Sequence, residues 1–284
     1  MTSQLRDRVG QFGIWRGAWQ TTPQIAAGLE QLGFGTVWLG GSPGGDLQIV
    51  EDLLGATSTL AVGTSIVNMW KDDAVTIAAD FERIEARYPG RFVLGVGAGH
   101  PEATQDYASP YDTLATYVDQ LLAHHVPAQS LVLAALGPRV LKLAAEKTAG
   151  AIPYLVPAEH TRQAREILGP DRLLAPEQKA VIDTDPDRAR ALGGKRVRNP
   201  YLGLFNYTSN LRRLGFTDAD FAGDGSERLI DALVAHGSPE QVGAQLRQHL
   251  EAGADHVCVQ LLAESDGDPM PGYAELARGL GLAG

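Results

Sequence analysis

The residues best suited to chemistry lie in glycine-rich segments that follow short apolar runs. One segment is Gly40-Gly41-Ser42-Pro43-Gly44, and another is Gly95-Val96-Gly97-Ala98-Gly99-His100. Glycine suits places where a flat ring or a phosphate approaches the backbone, because it has no Cβ. The predicted strand ends carry neither a carboxylate cluster for a divalent metal nor a lysine for a Schiff base. This combination predicts no metal site and favours an organic cofactor that supplies the difficult chemistry itself.

These two segments resemble known sequence motifs, but each lacks a residue that its motif requires. Residues 40–44 match G-x-S-x-G, but the nucleophile elbow of a hydrolase needs the N–H of the residue after the serine, and Pro43 has none. Residues 95–99 resemble a dinucleotide fingerprint, but His100 stands where the third glycine belongs, and the segment lies in mid-chain. We therefore interpret both as glycine-rich loops after strands.

The elements that must position these loops alternate between strands and helices along the chain. The apolar runs are continuous, which is typical of strands covered on both faces in a parallel sheet. They predict strands at 11–15, 36–39, 60–67, 92–96, 131–134, 151–156, 174–182 and 256–261. Eight strands alternating with helices predict an α/β fold, a (β/α)₈ TIM barrel, with a doubly wound sheet as the alternative.

One stretch interrupts the alternation. Residues 183–237 contain turn signals and helical fragments but no convincing strand. We predict that the chain is a single domain over 1–284, with 183–237 as a helical insertion late in the barrel. Such an insertion would shape the substrate mouth or an oligomer contact.

Composition narrows the class of protein. The 284 residues carry 24 basic and 34 acidic side chains, a formal net charge of −10, which argues against nucleic acid as a partner. A single cysteine, Cys258, excludes a disulfide framework. No apolar run is long enough to span a membrane, and the N-terminus lacks the apolar core of a secretion signal. We expect a cytoplasmic enzyme acting on a small molecule, with no membrane partner.

The segment from Leu60 to Pro101 carries a resemblance to a known family. It contains LAVGTSIVNMW and then FERIEARYPGRFVLGVGAGHP; AALGPRVLKLAAEKTAG and EAGADHVCVQLL follow later. These motifs resemble the luciferase-like flavin and deazaflavin oxidoreductases. The resemblance implies a (β/α)₈ barrel that binds FMN or coenzyme F420 at its C-terminal mouth, and a homodimer. The G-T-S-hydrophobic third strand looks most like the F420-dependent branch.

The resemblance also implies a set of cofactor contacts. By analogy, the Ser65–Ile66 bond would be a non-prolyl cis peptide behind the cofactor ring, and Asn68 would reach the polar edge of the ring. Gly97, Gly99 and His100 would line the ring and its side chain. The cofactor phosphate would be held by the loop and helix start at Ala135, Leu136, Gly137, Tyr154, Leu155 and Val156.

The chain departs from the alcohol dehydrogenases of that family. Gly41-Ser42 stands where they have an Asp-His pair, and His100 stands where the sugar-phosphate type has a glutamate. His100 is the candidate catalytic proton donor, because the ordinary pKa of histidine suits that task. The alternative is that His100 only hydrogen-bonds the cofactor. Ser42 and three tryptophans are candidates for the lining of a substrate pocket. The alternative for the tryptophans is packing in the hydrophobic core. These tryptophans are Trp15, Trp19 and Trp70.

Several functions stay open. The leading one is F420-dependent hydride transfer to or from a small organic substrate. The alternatives are an FMN-dependent monooxygenase, a non-catalytic flavin-binding barrel and, last, a phosphate-binding barrel without a redox cofactor. Lys195, Arg196 and Arg198 form the densest basic cluster. They could attract the oligoglutamate tail of coenzyme F420 or simply be solvated surface charge.

Overall fold

The computed structural model describes residues 2–99, 109–264 and 267–282. Its strands are β1 (Phe12–Gly17), β2 (Thr36–Gly40), β3 (Ala61–Ser65), β4 (Val67–Asn68), β5 (Phe92–Gly97), β6 (Leu131–Leu133), β7 (Gly150–Ala151), β8 (Leu173–Leu174), β9 (Glu177–Ile182), β10 (Val234–Gly237) and β11 (Val257–Leu261). Its helices are α1 (Thr2–Val9), α2 (Pro23–Gln31), α3 (Gln48–Gly55), α4 (Ala74–Arg87), α5 (Pro110–Ala123), α6 (Pro138–Lys147), α7 (Ala158–Leu168), α8 (Pro186–Arg198), α9 (Phe205–Arg213), α10 (Glu227–Leu233), α11 (Pro239–Glu251) and α12 (Met270–Leu280).

The strands form one parallel sheet in the order β10-β9-β11-β1-β2-β3-β5-β6-β7-β8, with β4 paired to β5. Residues 173–182 close this sheet into a barrel because they pair on both sides. Leu173 and Leu174 pair with β7 on one side. Glu177 to Ala180 pair with β11 on the other, and β11 pairs with β1. The predicted α/β barrel is therefore confirmed.

Apolar side chains pack on both sides of the strands. The larger core lies between the sheet and the outer helices, and a smaller cluster fills the barrel interior. Leu5 and Val9 of α1 belong to that interior cluster. Inside the barrel, Trp38 Nε1 donates to His256 Nε2 over 2.9 Å. A Cβ on Gly63 would lie 2.3 Å from the Trp38 ring, so glycine makes room for this large side chain.

Two differences from the sequence analysis concern strand lengths and number. The predicted strand 151–156 is observed only as Gly150–Ala151, because Pro153 has no N–H to continue the ladder and Leu155 has a φ of +56°. Residues 183–237 contain α8, α9 and α10, but they also contain the unpredicted strand β10, which pairs with β9. The assignment of 183–237 as an insertion stays a prediction. Within the described ranges, no helix has the length and apolar character needed to cross a membrane.

Candidate active site

A cavity of about 540 Å³ lies at the C-terminal ends of the strands. This is the end of a (β/α)₈ barrel at which active sites are built, since the loops after the strands converge there. Of the residues predicted to form the site, the cavity is lined by Trp15, Trp19, Ser42, Ser65, Ile66, Asn68, Gly99, Ala135, Leu136, Gly137 and Tyr154. These residues come from seven strands or the loops after them, so only the closed barrel brings them together.

One wall is formed where β3 passes into β4. The Ser65–Ile66 peptide is cis, as the resemblance implied. Ser65 Oγ accepts a hydrogen bond of 3.1 Å from Trp15 Nε1, which fixes the indole beside this peptide. Gly97 lies against the same wall, since a Cβ there would be 3.3 Å from Ile66 Cγ1. Gly99 has a φ of +63°. A Cβ on Gly99 would lie 2.6 Å from Asn68 Nδ2, so only glycine leaves this approach open.

Another part of the cavity wall is formed by the start of α6, where Gly137 and Val140 line the cavity. Leu141 donates to the Gly137 carbonyl over 3.1 Å as the helix begins. The N–H groups of Arg139 and Val140 lie in the first turn of α6, where no helical carbonyl is available to accept from them. Such N–H groups can bind an anion. His160 Nε2 donates to the Leu136 carbonyl over 2.9 Å and so supports the loop. Burial lowers the pKa of His160, which keeps its imidazole neutral.

The outer part of the cavity is closed by residues that the sequence analysis did not select. These are Lys71, Tyr111, Leu114, Tyr201, Asn206 and Tyr207. The rings of Tyr201 and Tyr207 lie 5.0 Å apart, edge to face. Asn206 Oδ1 is buried and has no hydrogen-bond partner among the described residues, so it is an acceptor available to a ligand. The sequence did contain a signal for these residues. The aromatic run from Tyr201 to Tyr207 follows a turn in the region predicted to shape the mouth, so it could have been predicted to line the cavity.

A buried ionic network supports the Tyr154 side of the cavity. Lys179 Nζ donates to Glu177 Oε1 and to Tyr154 Oη, each over 3.0 Å, and to Gln260 Oε1 over 2.9 Å. The Tyr154 hydroxyl also accepts from Tyr201 Oη over 3.0 Å. Burial lowers the pKa of Lys179 and raises that of Glu177, while their mutual attraction opposes both shifts. Burial also raises the pKa of Tyr154 well above its ordinary value, so its hydroxyl keeps its proton.

Three other predicted site residues lie away from the cavity wall. Leu155 and Val156 are buried and do not line the cavity, and the Leu155 N–H donates to Glu177 Oε2 over 2.9 Å. Trp70 packs against the main core instead of the cavity wall. His100 lies outside the described residues. The roles given to these four residues stay predictions.

The predicted basic cluster is divided between different surroundings. Arg198 forms an ion pair of 3.1 Å with Asp224. Lys195 lines a separate surface depression, whereas Arg196 also lines a cavity next to the candidate site. Lys195 and Arg196 thus share the surface depression while Arg198 is paired, and the contact of the three side chains with an oligoglutamate tail stays a prediction.

Comparison with known proteins agrees with this geometry. The family model described as luciferase-like monooxygenase matches residues 4–124, which confirms the resemblance to that family. No curated protein matches the sequence. An F420-dependent secondary alcohol dehydrogenase, solved with an F420–acetone adduct, is 16% identical, with a TM-score of 0.72 and coverage of 95% of this chain and 98% of that one.

Two further solved structures have the same fold but different cofactors in their names. An F420-dependent tetrahydromethanopterin reductase from Methanopyrus kandleri is 17% identical, with a TM-score of 0.67 and coverage of 95% and 97%. The oxygenating constituent of 3,6-diketocamphane monooxygenase from Pseudomonas putida, in complex with FMN, is 14% identical, with a TM-score of 0.69 and coverage of 94% and 96%. At these identities the likeness shows the fold, and it does not select between the two cofactors.

The residues present fit a flavin-type cofactor. The cavity has the volume of a typical small-molecule site. Gly99 lines the cavity without a Cβ, which suits the close approach of a flat ring. The start of α6 suits a phosphate, and Asn206 Oδ1, which no described residue contacts by a hydrogen bond, can accept from an N–H or hydroxyl of the ligand. No group of three His, Cys, Asp or Glu side chains in the described ranges could hold a metal.

Proposed function

We propose that this protein is a coenzyme F420-dependent oxidoreductase that transfers a hydride between the deazaflavin and a small organic substrate. The observation that carries the proposal is the convergence of Ser65, Gly99 and Gly137 on one cavity. The resemblance assigned these three residues to the cofactor from separate parts of the sequence. The luciferase-like family match supports an oxidoreductase, and the G-T-S motif of the third strand favours the deazaflavin.

Each wall of the cavity has a distinct part in this function. When bound, the deazaflavin supplies the hydride chemistry. The N–H groups at the start of α6 bind its phosphate, and Gly99 leaves space for its ring. Trp15 and Tyr154, whose ring centroids lie 5.2 Å apart, exclude water from the adjoining substrate space. Tyr154 Oη, bonded to Lys179 Nζ, holds a proton beside that space.

Titration of the purified protein with coenzyme F420 and, separately, with FMN tests the proposal. Tryptophan fluorescence is a suitable signal because Trp15 and Trp19 line the cavity. We expect binding of F420 in the micromolar range or tighter and at least about tenfold weaker binding of FMN, a difference of about 1.4 kcal/mol. Binding of FMN alone, with oxygen consumption by the reduced complex, would instead assign the protein to the monooxygenases. Binding of neither would refute the redox function.

A further inference from the structure

A second cavity, of about 730 Å³, adjoins the candidate active site. Both cavities are lined by Trp15, Trp19, Tyr154 and Tyr201, so a ligand in one lies next to a ligand in the other. The remaining wall comes from the ends of β1, β11 and α8 and from the segment before α12. Its charged and amide side chains are Arg16, Gln20, Lys179, Arg196, Asn199, Gln260 and Asp268.

The two arginines of this wall are not neutralised by the described residues. Arg16 donates to neutral acceptors, through Nε to the Gln20 carbonyl over 2.9 Å and through Nη1 to Tyr273 Oη over 3.1 Å. These two bonds hold its guanidinium in place. Arg196 forms no hydrogen bond or ion pair of its own with any side chain in the described ranges. Lys179 is different, because Glu177 compensates its charge.

The carboxylate in the described lining is Asp268, and it does not compensate the arginines. Its Oδ1 accepts a hydrogen bond of 3.0 Å from the Met270 N–H. No ion pair within the described residues joins Asp268 to Arg16 or Arg196. Two uncompensated guanidinium groups therefore line a concave wall in a protein whose net charge is −10. Such a wall concentrates anions against the overall field of the molecule.

We propose that the second cavity binds a carboxylate through Arg16 and Arg196, and that the substrate is a small organic acid. The planar guanidinium fork matches a carboxylate in two parallel hydrogen bonds. Apolar walls from Leu261, Leu262 and Pro200 suit the carbon skeleton attached to that group. With the carboxylate held there, the remainder of the substrate reaches the shared wall of Trp15 and Tyr154. The assignment of this ligand as the substrate rests on the proposed function.

Calorimetric titration with a matched pair of probes tests the site. Cyclohexanecarboxylate and cyclohexanecarboxamide have nearly the same shape and differ in charge. We expect the carboxylate to bind at least about tenfold more tightly than the amide. Arg16→Gln and Arg196→Gln should each weaken the carboxylate by about tenfold and leave the amide unchanged, in line with the loss of a charge-assisted hydrogen bond. Arg196 is exposed, so its substitution leaves the fold intact even if Arg16→Gln does not.

Arg162→Gln is the control, because Arg162 is an exposed arginine of α7 that pairs with Glu159. It removes the same charge outside the cavity and should not change the affinity for either probe. Equal binding of the two probes, no measurable binding of the carboxylate, or an equal loss in Arg162→Gln would each overturn the proposal.

The same variants separate the two sources of a carboxylate, which are the substrate and the oligoglutamate tail of coenzyme F420. We expect Arg196→Gln to leave the affinity for F420 unchanged. A tenfold loss of F420 affinity in this variant would assign the cavity to the tail and overturn the substrate assignment. If the carboxylate probe binds and neither cofactor does, the proposed function fails while the anion site stands. If F420 binds and the probe does not, only this inference fails.

Discussion

Single residues decide the character of the wall between the two cavities. Lys179 is 1% exposed, and its ammonium is surrounded by Glu177, Tyr154 and Gln260. A buried charge is tolerated only when it is paired and hydrogen-bonded, because burial removes its hydration. The contacts of Lys179 therefore act as a unit that holds the Tyr154 hydroxyl at the cavity.

This arrangement predicts a non-additive effect of substitutions on stability. Lys179→Met should lower the free energy of unfolding by about 3–5 kcal/mol, because it leaves the Glu177 carboxyl buried without its cation. Glu177→Gln combined with Lys179→Met should be less destabilising than Lys179→Met alone, since the glutamine still accepts from the Leu155 N–H. Urea denaturation at neutral pH measures both. Glu177→Gln alone supplies the second single effect, and a double variant that loses the sum of the two single effects would refute the coupling.

At the scale of elements, α6 is the helix to which the proposed function assigns the cofactor phosphate. Gly137 precedes the helix in an extended conformation, with φ −94° and ψ 159°, which any residue adopts. The nearest atom to a Cβ built at this position is Arg213 Nη2, at 3.8 Å. A larger side chain at this position would therefore enter the cavity without disturbing the fold.

Gly137→Val should separate cofactor binding from stability. We expect the free energy of unfolding to change by less than about 0.5 kcal/mol, as for other substitutions away from packed residues. The affinity for the cofactor should fall by at least about tenfold, because the added methyl groups obstruct the start of α6. Gly44→Val is the control, since a Cβ there has no atom within 4 Å and the residue does not line the cavity. Unchanged cofactor affinity in Gly137→Val would place the phosphate elsewhere.

At the scale of the whole molecule, the closed barrel buries histidines that cannot be protonated without cost. His256 in the barrel interior donates through Nδ1 to the Gly10 carbonyl over 2.7 Å. His249 on α11 contacts Gln178 Oε1 over 2.6 Å. Burial lowers the pKa of each histidine to about 4. In the unfolded chain both return to about 6.5 and bind protons first as the pH falls.

The protein should therefore become less stable as the pH falls from about 6.5 towards 4. The stability that depends on the neutral histidines is complete above pH 6.5. By linkage, about 2 kcal/mol per histidine is lost at pH 5. Urea denaturation at pH 8 and pH 5 measures the fall, and His249→Gln should reduce it by the share of one histidine. If the free energy of unfolding fell by the same amount in the wild type and in His249→Gln, the loss of stability could not be assigned to His249.

The sequence by itself determined the fold class and which loops lie at the barrel mouth. Continuous apolar runs mark buried parallel strands, and chemistry in a barrel lies at their C-terminal ends, so the glycine-rich loops at 40–44 and 95–99 could be placed at the barrel mouth from local pattern. The assignment of Ser65, Gly99 and Gly137 to a cofactor came from the family resemblance. Glycine was a reliable signal at Gly99, where its positive φ and close approach exclude a side chain. The strand pattern and the conformation of a glycine depend on neighbouring residues in the chain and on geometry common to all such barrels. Local sequence is therefore enough to predict them.

Only the tertiary structure decided which distant polar groups meet. Lys179 lies in a predicted strand, and nothing in the local sequence indicates its partners. Tyr154 and Gln260 are 25 and 81 positions away. Tyr201 and Asn206 reach the cavity because 183–237 folds back over the barrel mouth. Arg16 and Arg196 line one cavity for the same reason. Such contacts depend on closure of the sheet and on packing of α8 and α9, which local sequence patterns do not encode.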